Sequence, residues 1–334
     1  MSTPPTDAAR TGEALTDGSV LGFVGLGNMG TPMVGHLVGA GYTVRAFDTS
    51  PAARKRAAAL GATPVDTPAA VAEGADAILL MLPDSDAVES VLYESGLLDA
   101  ARPGTVLVDM GSSRPHSTRT LARRAADRGV SVVDAPVSGG VAGAEAGTLT
   151  VMAGGTAEDV ARVRPPLERL GGTVSHVGGT GAGHALKALN NLMSATHLLV
   201  SSEALLAGEE FGLVPEAMLE VVNGSSGRSG STQTKWPKYV LPGTFDSGFG
   251  LRLMLKDMRI AVGLARESGL PSLLGESAVR LWDEAAAQLP ADADHTEIVR
   301  WLRDQQDGHN EQDGHDQHDG HNKQDGFNEH DGKG

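Results

Sequence analysis

From residue 19 onward the chain alternates short apolar runs with segments of helical spacing. Ser19-Val20-Leu21-Gly22-Phe23-Val24 reads as a buried strand, closed by a glycine cluster that opens the next element. Met33, Val34, Leu37 and Val38 then recur at three and four residues, Gly39-Ala40-Gly41 ends that helix, and a strand follows over 42–47. The alternation continues with helices over 51–60, 85–93 and 157–170, and with strands over 77–82, 105–108, 130–133, 148–152 and 173–177. This pattern predicts an α/β fold: an N-terminal domain over 19–182 built on a doubly wound parallel sheet with helices on both faces. From residue 183 to about 303 the sequence is helix-compatible, broken at 224–230 and 241–250, which predicts an all-α C-terminal domain. Its first helix, 183 to about 211, would be about 40 Å long.

Composition adds the two ends. Residues 1–18 are polar and are expected to be a disordered lead. Residues 304–334 repeat Asp-Gly with a period of six, contain one Phe and no aliphatic residue, and are expected to be a disordered tail. Nine acidic residues against two lysines there supply −7 of the chain's formal −15. That charge argues against a nucleic-acid surface, which needs clustered Lys and Arg. The five tail histidines have no fixed geometry, so no metal site is expected. There are no cysteines, no apolar run reaches the ~20 residues of a bilayer span, and the first residues carry no apolar signal core. A cytoplasmic protein without membrane partners is the expectation.

Candidate chemistry begins at Gly25-Leu26-Gly27-Asn28-Met29-Gly30, a G-x-G-x-x-G motif between a strand and a helix. There Gly25 would make the tight turn, Gly27 would let a pyrophosphate approach the backbone, and Gly30 would allow close helix packing. Asp48 ends the second strand, 23 residues after Gly25, where a carboxylate can accept the adenosine ribose hydroxyls and favour NAD. Arg45, Arg54, Lys55 and Arg56 lie near enough in sequence to receive a 2′-phosphate, so NADP stays open. Met81 and Leu82, at the end of the 77–82 strand, are expected to line the same cofactor.

Three further segments stand out. Ser138-Gly139-Gly140, after a strand, offers a hydroxyl and unhindered amides suited to a carboxylate, and would equally serve as a structural turn. Lys187 lies in a mainly apolar helix with Asn191 and Ser194 at i+4 and i+7, a polar stripe on one face. A desolvated lysine there would suit proton transfer, whereas a snorkelling surface lysine fits the spacing as well. Lys256-Asp257 is a charged pair in an apolar helical run whose role spacing alone leaves undecided.

Taken together, the glycine motif with Met33, the stretch 134–149, the stretch 179–191 around Lys187, and Lys256-Asp257 resemble the β-hydroxyacid dehydrogenase family of the 3-hydroxyisobutyrate dehydrogenase and tartronate semialdehyde reductase type, over residues 19–303. The resemblance implies an N-terminal Rossmann domain followed by an all-α domain, and an NAD(P)-dependent oxidoreductase interconverting a small β-hydroxy acid and its semialdehyde or keto acid, assembled as a homodimer or homotetramer. It further implies Lys187 as catalytic acid/base, Ser138, Gly139 and Gly140 on the substrate carboxylate, Asn191 on the reacting oxygen, and Lys256 beside nicotinamide and substrate. Where relatives commonly have Asp-Met-Ser-Thr, this chain has Asp109-Met110-Gly111-Ser112, and Ser112 can still offer its hydroxyl to the cofactor. An imine reductase shares the architecture but generally lacks the lysine. A non-catalytic dinucleotide-binding protein is disfavoured by the combination of Ser138, Lys187 and Asn191.

Overall fold

The computed structural model describes residues 12–305. Of the tail expected over 304–334, residues 304 and 305 are described and end a helix; the rest of it, and residues 1–11 of the expected lead, lie outside the described residues. Two compact units are present: one holds the described residues up to Met193 together with Leu253–Glu276, and the other holds Ser194–Arg252 and the described residues from Ser277.

The first unit is built on nine strands: β1 (Val20–Val24), β2 (Thr43–Phe47), β3 (Thr63–Pro64), β4 (Ala77–Leu80), β5 (Val106–Asp109), β6 (Ser131–Asp134), β7 (Val137–Ser138), β8 (Thr150–Gly154) and β9 (Thr173–Gly178). Their order is β3-β2-β1-β4-β5-β6-β8-β7, with β9 paired to β8. β1 to β6 run parallel, and the chain reverses its direction of travel across the sheet between β1 and β4. In an open α/β sheet this switch point is where ligands bind.

The strands read as continuous apolar runs because both faces are covered. Leu21, Phe23, Ala77, Leu79, Val106 and Val108 pack into one core with Met33, Val34 and Leu37 of the helix Gly30–Gly39. Val24, Ile78, Leu80 and Leu107 point the other way, into a second core with Leu92, Leu97 and Leu121. The period-two alternation of a strand sorts each residue to its face.

Two expectations change. The sheet is not wholly parallel, since β8 runs antiparallel to β6 and β7. Only Ala135 and Pro136 separate β6 from β7, and the helix Gly140–Ala146 before β8 has 7 residues, too little chain for the crossover that a parallel neighbour needs. Within the lead, Leu15 is buried in the first core and its amide donates to the Arg162 carbonyl at 2.9 Å, which anchors the lead at that point while the other residues of 12–18 are exposed.

In the second unit the described residues form helices. The long helix Ala182–Glu210 contributes residues to both units, close to the extent expected from its spacing. Trp236, Trp282, Ile298 and Trp301 are buried, and the Trp236 indole donates to the Ser202 hydroxyl at 3.2 Å. The stretch 231–240, between the two expected breaks, is helical as its sequence implies, but as a wide π-type helix with Pro237 inside it.

The two-faced packing has a direct consequence for stability. Leu79→Ala, at a position 1 % exposed, is expected to destabilise the protein by about 2–5 kcal/mol, read as a lower denaturation midpoint. An unchanged midpoint would contradict the burial of that face.

Candidate active site

At the carboxyl ends of β1 and β4 the three motif glycines do three separate things. Gly25 has φ +99°, and a Cβ there would stand 2.3 Å from the Met81 carbonyl oxygen. A Cβ on Gly30 would stand 1.8 Å from the Gly25 carbonyl oxygen, so the helix can start this close to the turn only with glycine. Gly27 is exposed and has nothing within 4 Å of its missing Cβ. The backbone there is open to a phosphate, with exposed Asn28 and half-buried Met29 beside it, so the cradle fits a dinucleotide.

Asp48 is tied into this loop. Its two carboxylate oxygens accept the amides of Leu26 and Ser50, each at 2.7 Å, and retain lone pairs for ribose hydroxyls. Of the neighbouring cations, Arg45 is committed to the Ala70 carbonyl and to an ion pair with Glu73. Arg54 donates to the Asp48 carbonyl at 2.6 Å and lies over the Phe47 ring, while Lys55 and Arg56 are exposed. A 2′-phosphate would therefore have to recruit Arg54, Lys55 or Arg56.

Met81 and Leu82 are half-buried just beyond β4. A Cβ on Gly111 would stand 2.3 Å from the Leu82 carbonyl oxygen, so the backbone here has room for glycine only. Lys256 sits over these strand ends. Its Nζ donates to the Pro83 carbonyl at 2.8 Å and the Ser112 carbonyl at 2.5 Å, and it pairs with Asp257 at 3.3 Å. Ser112 and Lys256 share a cavity of about 380 Å³ with Asp84, His116 and Arg259.

Lys187 is positioned from the sheet. Asp134, fully buried at the end of β6, accepts the Gly181 amide at 2.6 Å and the His184 amide at 2.9 Å, which fixes the start of the long helix. A Cβ on Gly183 would stand 2.2 Å from the Met152 carbonyl oxygen, so that helix lies hard against β8. The buried His184 ring meets the Thr118 hydroxyl at 2.8 Å and approaches Asp109 at 3.7 Å. One turn after His184 comes Lys187, 8 % exposed. Burial drives its pKa below the ordinary lysine value, the Asp257 charge opposes that shift, and the Lys256 charge adds to it. Asn191 donates from Nδ2 to Asp257 Oδ2 at 2.7 Å, with Asp257 1 % exposed.

Lys187, Asn191, Lys256 and Asp257 thus form one electrostatic cluster. Ser138 is half-buried at the end of β7 and pairs with Thr150 of β8. Gly139 and Gly140 follow with φ +134° and +64°, conformations that favour glycine and turn the backbone into the helix Gly140–Ala146. Sequence reasoning assigned no role to Asp134, Thr118 or His184. Their partners lie 47 to 66 residues away, and the one local hint was a charged residue ending a buried strand.

Comparison with known proteins identifies the family and the fold. A model of the NAD-binding domain of 6-phosphogluconate dehydrogenase matches residues 20–178, and one described as NAD-binding of NADP-dependent 3-hydroxyisobutyrate dehydrogenase matches 181–302. The chain is 39 % identical over 281 residues to 2-(hydroxymethyl)glutarate dehydrogenase of Eubacterium barkeri, covering 84 % of this chain and 93 % of that one. It is 36 % identical over 299 residues to a probable 3-hydroxyisobutyrate dehydrogenase of Mycobacterium tuberculosis, covering 86 % and 99 %. A solved structure of Mycobacterium tuberculosis 3-hydroxyisobutyrate dehydrogenase with L-serine superposes with TM-score 0.80 at 34 % identity, over 86 % of this chain and 99 % of that chain. An imine reductase of Streptomyces aurantiacus, at 23 % identity and TM-score 0.56, shares the fold alone. The chain belongs to the β-hydroxyacid dehydrogenase family and is an NAD(P)-dependent oxidoreductase acting on the hydroxyl-bearing carbon of a small hydroxy acid.

Proposed function

We propose that the substrate is a β-hydroxy acid of the 3-hydroxyisobutyrate or 2-(hydroxymethyl)glutarate type, oxidised reversibly to its semialdehyde with Lys187 as acid/base. The observation that carries this reading is the desolvated Lys187 amine, one helical turn from an Asn191 amide fixed on Asp257. Both acids place a carboxylate one carbon from the carbinol. The Ser138 hydroxyl and the Gly139 and Gly140 amides hold that carboxylate, and Asn191 orients the hydroxyl oxygen.

When bound, the nicotinamide supplies the hydride acceptor or donor. The glycine loop, Asp48, Met81, Leu82, Ser112 and Lys256 hold it. In oxidation the neutral Lys187 amine accepts the hydroxyl proton as the carbonyl forms; in reduction its ammonium returns that proton to the oxygen. Lys256 keeps the ends of β4 and β5 together and places a positive charge that favours the neutral form of Lys187.

Assembly with a second copy of the chain is part of the same reading. Leu186, Leu189, Met193 and Val200 are exposed on the long helix at a spacing that leaves an apolar stripe in water. No described helix is long and apolar enough to cross a membrane, and the cytoplasm is the proposed compartment.

Lys187→Ala is expected to retain cofactor binding and lose turnover by about 10²–10⁴-fold, followed as absorbance at 340 nm with 3-hydroxyisobutyrate and 2-(hydroxymethyl)glutarate. Turnover undiminished in that variant would remove Lys187 from the chemistry. Oxidation needs the neutral amine, so kcat/KM for oxidation should rise with pH through the Lys187 pKa, below the ordinary lysine value of 10.5. Asp257→Asn deletes the charge that holds this pKa up, so the limb should move to lower pH while kcat falls through the loosened Asn191. A limb that moves to higher pH would contradict the assignment.

A further inference from the structure

The first unit holds a buried titratable side chain that the proton transfer does not use. His184, in the first turn of the long helix, is 1 % exposed, and its ring lies among Thr118, Asp109 and Asp134, all buried. The Thr118 hydroxyl, on the helix Pro115–Ala126, has one proton and two acceptors in reach: the Arg114 carbonyl at 3.2 Å and His184 Nδ1 at 2.8 Å. On the other side of the ring, Nε2 has no hydrogen-bond partner among the described residues and stands 3.7 Å from Asp109 Oδ2. A lone pair there would face a carboxylate, so the ring proton belongs on Nε2, and Nδ1 accepts the shorter Thr118 bond. Asp134, 4.0 Å from Nδ1, is already engaged by the Gly181 and His184 amides and does not compete.

What the ring touches leads back to the site on both sides. Asp109 accepts the Gly111 amide at 3.0 Å and the Ser113 hydroxyl at 2.7 Å, which holds the loop before and after Ser112. On the helix, His184, Lys187 and Asn191 fall at i, i+3 and i+7, within about 60° of one another around the axis. The two amide bonds to Asp134 hold the helix end at a single carboxylate and leave it free to rotate about that point. A ring that stands off the axis and is held on two sides removes that freedom.

We infer that His184 is a positioning residue: its ring, tied to Thr118 and facing Asp109, sets the rotation of the long helix and so holds the Lys187 amine and the Asn191 amide in place relative to the Ser112 loop. The effect on turnover rests on the acid/base reading of Lys187; the placement does not.

The test compares His184→Leu, which keeps bulk and removes both ring nitrogens, with His184→Gln, whose side-chain carbonyl and amide can take over the Nδ1 and Nε2 roles. Leu79→Ala is the control for general destabilisation of the same unit. Lysine labelled at Cε with carbon-13 reports the Lys187 midpoint, and steady-state kinetics with 3-hydroxyisobutyrate and 2-(hydroxymethyl)glutarate report turnover. In His184→Leu the amine loosens toward water, so its midpoint should rise toward the ordinary 10.5, while kcat falls by about 10- to 100-fold with a smaller change in KM. His184→Gln should restore both. A midpoint left in place in folded His184→Leu overturns the assignment. So does a rise shared by His184→Gln, which would trace to charge, or one matched in Leu79→Ala, which would trace to stability. Where His184→Leu does not fold, the wild-type ring decides. In protein carrying nitrogen-15 histidine, the His184 signals, assigned by their loss in His184→Gln, should be those of the Nε2–H tautomer, and an Nδ1–H tautomer overturns the inference. A midpoint that rises as expected, in a protein whose Lys187→Ala variant turns over undiminished, keeps the placement and overturns the acid/base reading instead.

Discussion

The carboxylate of Asp134 governs where the long helix starts, and with it where the proposed proton carrier Lys187 stands. Fully buried at the end of β6, it would be costly as a bare charge, and it is compensated by the amides of Gly181 and His184 in the first turn of the long helix. Those two hydrogen bonds set the start of that helix against the sheet, and the glycine at 183 permits the close approach to β8. Once the start is fixed, helical geometry fixes Lys187 one turn on and Asn191 a turn beyond that.

The charges around that helix act on the Lys187 amine. Two lysines and one aspartate share a small, largely buried volume, and the single negative charge is divided between an ion pair to Lys256 and a hydrogen bond from Asn191. Asp257 therefore cannot fully compensate Lys187, whose charged form is penalised by burial. The same aspartate orients the amide beside the amine, so the group that tunes the pKa also sets the geometry. Lys256 links this cluster to the ends of β4 and β5 through the Pro83 and Ser112 carbonyls.

Much of this was legible in the string because the signals are local. The alternation of apolar runs gave the strands of the sheet's first half, and the i, i+3, i+4 spacing of Met33, Val34 and Leu37 gave the helix after the glycine motif. The glycine loop, Lys187 and Asn191 could be picked out from neighbours within a few residues. What escaped depends on distant pairing. The reversal at β8 follows from a connection too short to cross over, which periodicity does not report. Asp257 looked like half of an ordinary salt bridge until the structure set Asn191 beside it, 66 positions earlier in the chain. That 231–240 is helical was legible, but its wide π-type winding around Pro237 was not, because residue spacing does not distinguish it from an α-helix.

The central claim is that burial makes the Lys187 amine the proton carrier, and its own titration tests that most directly. In protein carrying lysine labelled at Cε, assigned against Lys187→Ala, the Lys187 resonance should titrate below the ordinary 10.5, at the midpoint that governs oxidation by the free enzyme. A Lys187 resonance that titrates at the ordinary value, or at a pH unrelated to the kinetic limb, would contradict the account.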